Sequence, residues 1–146
     1  MSAARGYAWT DAVTSDLAFV ARGETPEEVF AAAADALLAA TLEGPAELET
    51  RVEHALHLEE PDLELLLLAF LNELVFLRDA RGWLLRVGEL EIATAKGAAR
   101  LDGRAVGEVI DPQRHRLGTE VKAATAHGLR VARCADGWEA HVTLDV

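Results

Sequence analysis

The sequence predicts an α+β fold, a two-layer sandwich in which a largely antiparallel sheet has two helices packed on one face. Three observations predict it: helical apolar spacing over residues 25–42 and 63–77, a period of two over residues 47–59, and β-rich sequence after Arg81-Gly82. The chain has 146 residues, of which 51% are hydrophobic, so it is long and apolar enough for one core. We therefore assign residues 1–146 to a single domain.

The N-terminal part is predicted to form a short strand and then a helix. Residues 17–22 form a β-like run that ends at Gly23. Thr25 is a suitable N-cap, Pro26 fits the first helical position, and Glu28 completes a capping box. The helix then carries on one face the apolar side chains Val29, Phe30, Ala33, Ala34, Leu37 and Leu38, which indicates an amphipathic helix to about residue 42.

Residues 47–59 alternate between apolar and polar side chains, which predicts a long strand with one core face. His54 and His57 are three residues apart in this strand, so they lie on opposite faces and cannot share a metal ion. Pro61-Asp62 opens the second helix, which is apolar nearly all round to Leu77. Such a helix must lie deep in the fold.

The C-terminal half is predicted to be mostly extended. We expect strands over residues 83–93 and 98–109, a polar loop at 111–115, extended segments over 119–126 and 129–134, and a last strand from Trp138. Asp136-Gly137 is typical of a hairpin turn. Two helices and about six strands joined by short turns favour the antiparallel sandwich.

The charge and the cysteine content of the sequence restrict the cellular compartment and the binding partners that can be expected for the protein. The formal net charge is -11, from 25 acidic and 14 basic residues, which opposes strong binding to a nucleic-acid backbone. A role in RNA chemistry would therefore act through another protein or a local patch. Cys134 has no second cysteine to pair with, and residues 1–6 lack the apolar region of a signal peptide. We expect a cytoplasmic protein without membrane association.

The end of the last strand indicates a metal site. Asp145 lies on the outward face of this strand, next to the carboxylate of Val146, and two like charges so close together repel. Asp16 precedes the first apolar strand. If these strand ends meet, three hard oxygen donors converge, which suits Ca²⁺, Mg²⁺ or Mn²⁺. Solvated charges at strand ends are the alternative.

Polar residues are dense between Gly107 and Gly128 for a β-rich region, and they include Asp111, His115, Lys122 and His127. We interpret this segment as an exposed functional loop and edge, with ordinary solvated turns as the alternative. No motif for a catalytic nucleophile, a phosphate-binding loop or a dinucleotide site is present in the sequence.

This segment resembles the archease family. The resemblance rests on DPxxHxLxTEVKAxTxHGLxV from Asp111 to Val131, on Leu71-Asn72-Glu73-Leu74, and on the terminal Leu144-Asp145-Val146. It covers nearly the whole chain in order. It implies an activator of an RtcB-type RNA ligase, which seals RNA ends in tRNA splicing with GTP and Mn²⁺. Archeases speed guanylylation and multiple turnover of the ligase without being ligases themselves.

The resemblance also implies a metal site, described with calcium, that uses Asp16, Asp145 and Val146. The family's Asp-His-Thr-Ala-Asp stretch is Ala12-Val13-Thr14-Ser15-Asp16 in this sequence, so an acidic residue and a histidine are replaced while the last aspartate is kept. Loss of a residue that supports a metal ligand weakens metal affinity by roughly 10- to 100-fold.

Three functions follow as hypotheses. The first is a non-enzymatic, metal-dependent activator of the ligase, monomeric or weakly oligomeric, with Asp111, His115, Lys122 and His127 as residues for partner contact. The second is a chaperone-like protein that binds RNA-modifying enzymes and has a structural metal site. The third is a hydrolase that uses Asp16, Asp145 and His127, although the sequence shows no pairing of a nucleophile with a general base.

Overall fold

The computed structural model describes residues 5–10, 16–44 and 48–146, which form two helices and nine strands. In chain order these are β1 Gly6–Thr10, β2 Asp16–Gly23, α1 Pro26–Thr41, β3 Leu42–Glu43, β4 Val52–Glu60, α2 Leu63–Arg81, β5 Trp83–Ala95, β6 Ala98–Val109, β7 Arg116–Leu117, β8 Ala123–Cys134 and β9 Gly137–Asp145. Neither helix is long and apolar enough to cross a membrane.

The strands form antiparallel sheets in the orders β1-β2-β9-β8, β4-β6-β5 and β3-β7. The predicted antiparallel α+β sandwich with two helices is therefore confirmed. The tertiary structure adds that strands of both larger sheets contact each helix: α1 contacts β2 and β5, and α2 contacts β8 and β4. This two-sided burial is why α2 is apolar nearly all round.

Both helices begin where their capping residues predict. The Thr25 side chain accepts a hydrogen bond from the Glu28 N–H at 3.2 Å, and the Asp62 side chain accepts one from the Leu65 N–H at 2.9 Å. The second helix continues beyond Leu77 to Arg81 and ends at Gly82, whose φ of 68° is a left-handed conformation that glycine adopts without strain.

Several predicted boundaries are wrong. The strand expected over residues 47–59 is β4, which begins only at Val52, and residues 45–47 lie outside the described residues. The two segments expected over 119–126 and 129–134 are one strand, β8, with a register shift between Thr125 and Arg130 and a left-handed Gly128. At such a bulge the alternation of inward and outward side chains is interrupted, so the sequence pattern looks like a break between two strands.

Within β4 the predicted orientation is confirmed. His54 is half-buried, and its Nε2 lies 3.8 Å from Oε1 of Glu73 on α2. His57 is exposed, and its Nδ1 lies 2.6 Å from Oδ1 of Asp102. The two histidines therefore face opposite sides of the strand. The second helix lies deep in the fold, as expected, and buries among others Leu67, Phe70, Leu71 and Leu74.

Candidate metal centre and motif surface

The strand register brings the two predicted aspartates together. In the antiparallel pair of β2 and β9, Asp16 and Asp145 are direct partners. Side chains at such positions share one face of the sheet, with Cβ atoms about 4.5–5.5 Å apart. Both residues are half-buried, and Val146 follows Asp145 directly. Residues 12–15, where the sequence departs from the family pattern, lie outside the described residues.

The electrostatics of this pair fit a bound cation. Like charges directly opposite each other on adjacent strands destabilise a sheet. Within the described ranges, no lysine, arginine or histidine forms an ion pair with Asp16 or Asp145. The same part of the chain holds no group of three His, Cys, Asp or Glu residues arranged for a metal. A divalent ion here would thus rely on two side-chain carboxylates and the Val146 carboxylate, a donor set that suits Ca²⁺.

Hydrogen bonds from side chains of α2 fix the start of β8 beside the Asp16–Asp145 pair. Ala123 is the partner of Asp145 on the other side of β9, and the Lys122 N–H donates to the Asp145 carbonyl at 2.8 Å. The Asn72 amide bonds both backbone groups of Ala124, at 3.1 and 2.8 Å. Arg78 donates to the Val121 carbonyl at 2.5 Å. The Lys122 side chain is exposed.

Asp111 and His115 hold their own loop together. The Asp111 N–H donates to His115 Nδ1 at 2.8 Å, the His115 N–H donates to the Asp111 carbonyl at 2.7 Å, and the Gln113 N–H donates to Asp111 Oδ1 at 2.9 Å. The His115 side chain is only 6% exposed. The structure therefore places these two residues in a turn that closes on itself.

His127 is exposed in the irregular part of β8. It lies where the pairing with β9 shifts, between Thr125 opposite Thr143 and Arg130 opposite His141, so its backbone is roughly 7 to 14 Å along the sheet from Asp145. Within the described residues its backbone N–H donates to Thr125 Oγ1, and its side chain forms no hydrogen bond or ion pair with Asp16 or Asp145. The geometry therefore does not support the hydrolase hypothesis.

Glu108 is a buried charge that the sequence pattern does not single out. Its side chain is 3% exposed, accepts the Glu49 N–H at 2.5 Å and bonds to Arg114. The pKa of Glu108 is lowered by the Glu49 N–H and by Arg114, against the opposing effect of burial. His115 Nε2 lies 3.1 Å from Glu108, yet it is not aimed to form a hydrogen bond. The sequence feature that could have indicated this buried charge is the acidic residue between Gly107 and Val109, near the end of a predicted strand.

We predict that Glu108 makes folding stability depend on pH. Its pKa is below the usual 4.5 in the folded protein, so its contribution is present above that pH and is lost as the pH falls through the lowered value. Glu108→Gln should therefore lower the free energy of unfolding at pH 7, and the difference from wild type should shrink below pH 4.5. Urea unfolding at several pH values measures this. The exposed Glu53→Gln is the control, and a difference that is constant with pH contradicts the prediction.

Comparison with known proteins supports the fold and the motif together. Residues 7–146 match the archease protein family. An archease from Pyrococcus furiosus is 37% identical over 134 residues, which covers 91% of this chain and 94% of that protein. An archease from Methanosarcina mazei is 35% identical over 136 residues, which covers 91% of each.

Two solved structures are similar. The solution structure of protein 1598 from Methanobacterium thermoautotrophicum has a TM-score of 0.82 at 31% identity and covers 97% of this chain and 99% of that chain. The crystal structure of a Thermotoga maritima archease, described as a possible chaperone, has a TM-score of 0.59 at 23% identity and covers 92% and 93%. The second is a likeness of fold alone. Since the family match spans most of the sequence, this protein belongs to the archease family.

Proposed function

We propose that this protein is a non-catalytic, cytoplasmic accessory protein that binds a divalent cation and activates an RtcB-type RNA ligase. The observation that supports this best is the direct pairing of Asp16 with Asp145 beside Val146. These carboxylates lie at the end of a sheet and have no ion-pair partner in the described residues, so they can be presented to a larger protein. Family membership adds support for an accessory role.

In this proposal Asp16, Asp145 and the Val146 carboxylate hold the metal, with calcium as the first choice and Mg²⁺ or Mn²⁺ as alternatives. The ion would supply positive charge between two carboxylates that otherwise repel. Lys122 lies directly before the neighbouring strand β8, and its exposed ammonium group can contact a phosphate or a carboxylate of the ligase. The protein's net charge of -11 favours action on the ligase over tight binding of RNA.

Calcium should raise the melting temperature by mass action, because the folded state alone brings the two aspartates together. We expect saturation at millimolar calcium or below, and a loss of the shift in Asp16→Asn. One extra residue after Val146 should weaken the shift by moving the terminal charge. Differential scanning calorimetry measures this, with Asp136→Asn as a matched control at the exposed β8–β9 turn. If calcium leaves the wild-type melt unchanged, this protein lacks the metal site.

The activation itself is tested by multiple-turnover RNA ligation with the cognate ligase, GTP and Mn²⁺, with and without this protein. We expect stimulation of repeated turnover, together with faster formation of the guanylylated ligase. Single-turnover sealing by ligase that is already guanylylated should stay the same. An equal rate of repeated turnover with and without the protein contradicts the proposal.

A chaperone-like function is the second candidate, and the exposed surface of α2 favours it. Phe76 is 59% exposed and Leu65 is 39% exposed, although most of the helix is buried. An exposed apolar side chain can contribute to a protein-binding surface where it is part of a larger apolar patch. Suppression of aggregation of several unrelated enzymes, without calcium and without the ligase, would favour this function over ligase activation.

A further inference from the structure

Side chains of α2 close one edge of the four-stranded sheet. β8 is the outer strand in the order β1-β2-β9-β8, so within the described part of the chain its backbone groups that point away from β9 have no strand neighbour. Asn72 instead bonds to both backbone groups of Ala124, and Glu64 accepts the Val131 N–H at 3.0 Å. These two α2 side chains therefore bond to β8 as the next strand does inside a sheet.

Asn72 suits this position because its side-chain amide has the same hydrogen-bonding groups as a peptide unit. Its Oδ1 accepts the Ala124 N–H at 2.8 Å, and its Nδ2 donates to the Ala124 carbonyl oxygen at 3.1 Å. An ionised aspartate has only acceptors and could make just the first of these bonds, and a leucine could make neither. The pairing with Ala124 therefore depends on an amide at residue 72.

The backbone that Asn72 bonds to is buried. Ala124 is 4% exposed, and Val121, whose carbonyl accepts a hydrogen bond from Arg78 on the same helix, is completely buried. A buried N–H or carbonyl group that loses its partner costs more free energy than an average hydrogen bond contributes. Loss of the Asn72 amide is therefore expected to loosen the start of β8, so that its backbone groups can reach water.

The segment that Asn72 fixes is bonded in turn to Asp145. Ala123 is the β8 partner of Asp145, and the Lys122 N–H donates to the Asp145 carbonyl at 2.8 Å. On its other side Asp145 is the partner of Asp16 on β2. A continuous series of hydrogen bonds and strand pairs thus joins the Asn72 amide to the two carboxylates.

We propose that Asn72 is a positioning residue of the metal site, which fixes the start of β8 and through it the backbone of Asp145 opposite Asp16. This inference rests on the proposed function, because it gives Asn72 a part in the same calcium site. Loss of a residue that supports a metal ligand without touching the ion typically weakens metal affinity by roughly 10- to 100-fold. Asn72→Leu should therefore weaken calcium binding by a factor in that range.

Glu64→Leu is the matched control. It replaces another half-buried side chain of α2 by leucine and removes its bond to the Val131 N–H on the same strand. Val131 pairs with Ala140, so the lost bond lies about 17 Å along the sheet from Asp145. This distance exceeds the Debye length of about 8 Å at physiological salt, so removal of the Glu64 charge has little effect on the metal site. The control should bind calcium like wild type.

Isothermal titration calorimetry with Ca²⁺ alone measures the affinities of wild type and both variants. We expect Asn72→Leu to bind roughly 10- to 100-fold more weakly and Glu64→Leu to be unchanged, even where both lose similar thermal stability. Equal affinity of Asn72→Leu and wild type, or equal weakening in both variants, would overturn the proposal. If Asn72→Leu does not fold, Asn72→Ala is used with the same expectation, because the smaller side chain admits water to the Ala124 backbone.

Amide hydrogen exchange in EDTA gives a second readout that does not depend on the metal. The Lys122 N–H should exchange faster in Asn72→Leu while the Val131 N–H keeps its wild-type rate, and Glu64→Leu should show the reverse. An unchanged rate at Lys122 in Asn72→Leu would contradict the positioning role. If wild type binds no calcium, the proposed metal site fails and this inference fails with it. If wild type and Asn72→Leu bind calcium equally, only the role of Asn72 is wrong.

Discussion

Replacement of Asp145 by alanine is expected to abolish the stimulation of multiple-turnover ligation while the protein remains folded. Asp145 is the central member of the candidate site, since it pairs with Asp16 on β2 and with Ala123 on β8 and precedes Val146. The substitution removes one of two side-chain carboxylates and relieves the like-charge repulsion in the sheet. The melting temperature without calcium should therefore stay the same or rise slightly, and the calcium-induced shift should disappear.

The matched control for this experiment is Asp136→Ala, which removes an exposed carboxylate from the turn at the other end of β9. It should keep full stimulation. Lys122→Ala should reduce stimulation without abolishing it, because the Lys122 backbone bond to Asp145 survives the substitution. Full stimulation by a folded Asp145→Ala protein would contradict the metal-dependent mechanism, and the chaperone-like function would then be the better explanation.

Phe70→Ala is expected to lower the free energy of unfolding by about 3–5 kcal/mol. Phe70 is completely buried on α2, and its ring centroid lies 5.6 Å from that of Phe30 on α1. Truncation leaves a cavity where the two helices meet, and the surrounding side chains can fill it only in part. Chemical denaturation with a common slope for wild type and variant measures this loss.

Phe76→Ala is the matched control, because it makes the same chemical change on the same helix at a position that is 59% exposed. It should change the free energy of unfolding by no more than about 0.5 kcal/mol. An unchanged melt for Phe70→Ala, or equal losses for the two variants, would be inconsistent with the packing of α2 in the core.

Local features of the chain were predicted well from sequence. Thr25 and Asp62 begin the two helices as expected, because capping depends on residues within one turn. The predicted outward face of Asp145 agrees with the burial of Ala140, Val142 and Leu144, since alternation is a property of a single strand. In contrast, β1 and the two-residue strands β3 and β7 were not predicted, because so few residues carry no clear period.

The candidate metal site shows the same difference between what the local sequence predicts and what only the tertiary structure reveals. The amino-acid sequence by itself selected the residues that we propose as cation ligands, since Asp16, Asp145 and Val146 follow from strand-end position and from the family motif. Only the tertiary structure decided that Asp16 faces Asp145, because the register between β2 and β9 depends on pairing between opposite ends of the chain. It also decided that Asp111 and His115 close a loop around the buried Glu108. The partners of a buried charge come from distant segments, and the spacing of residues within one segment does not reveal them.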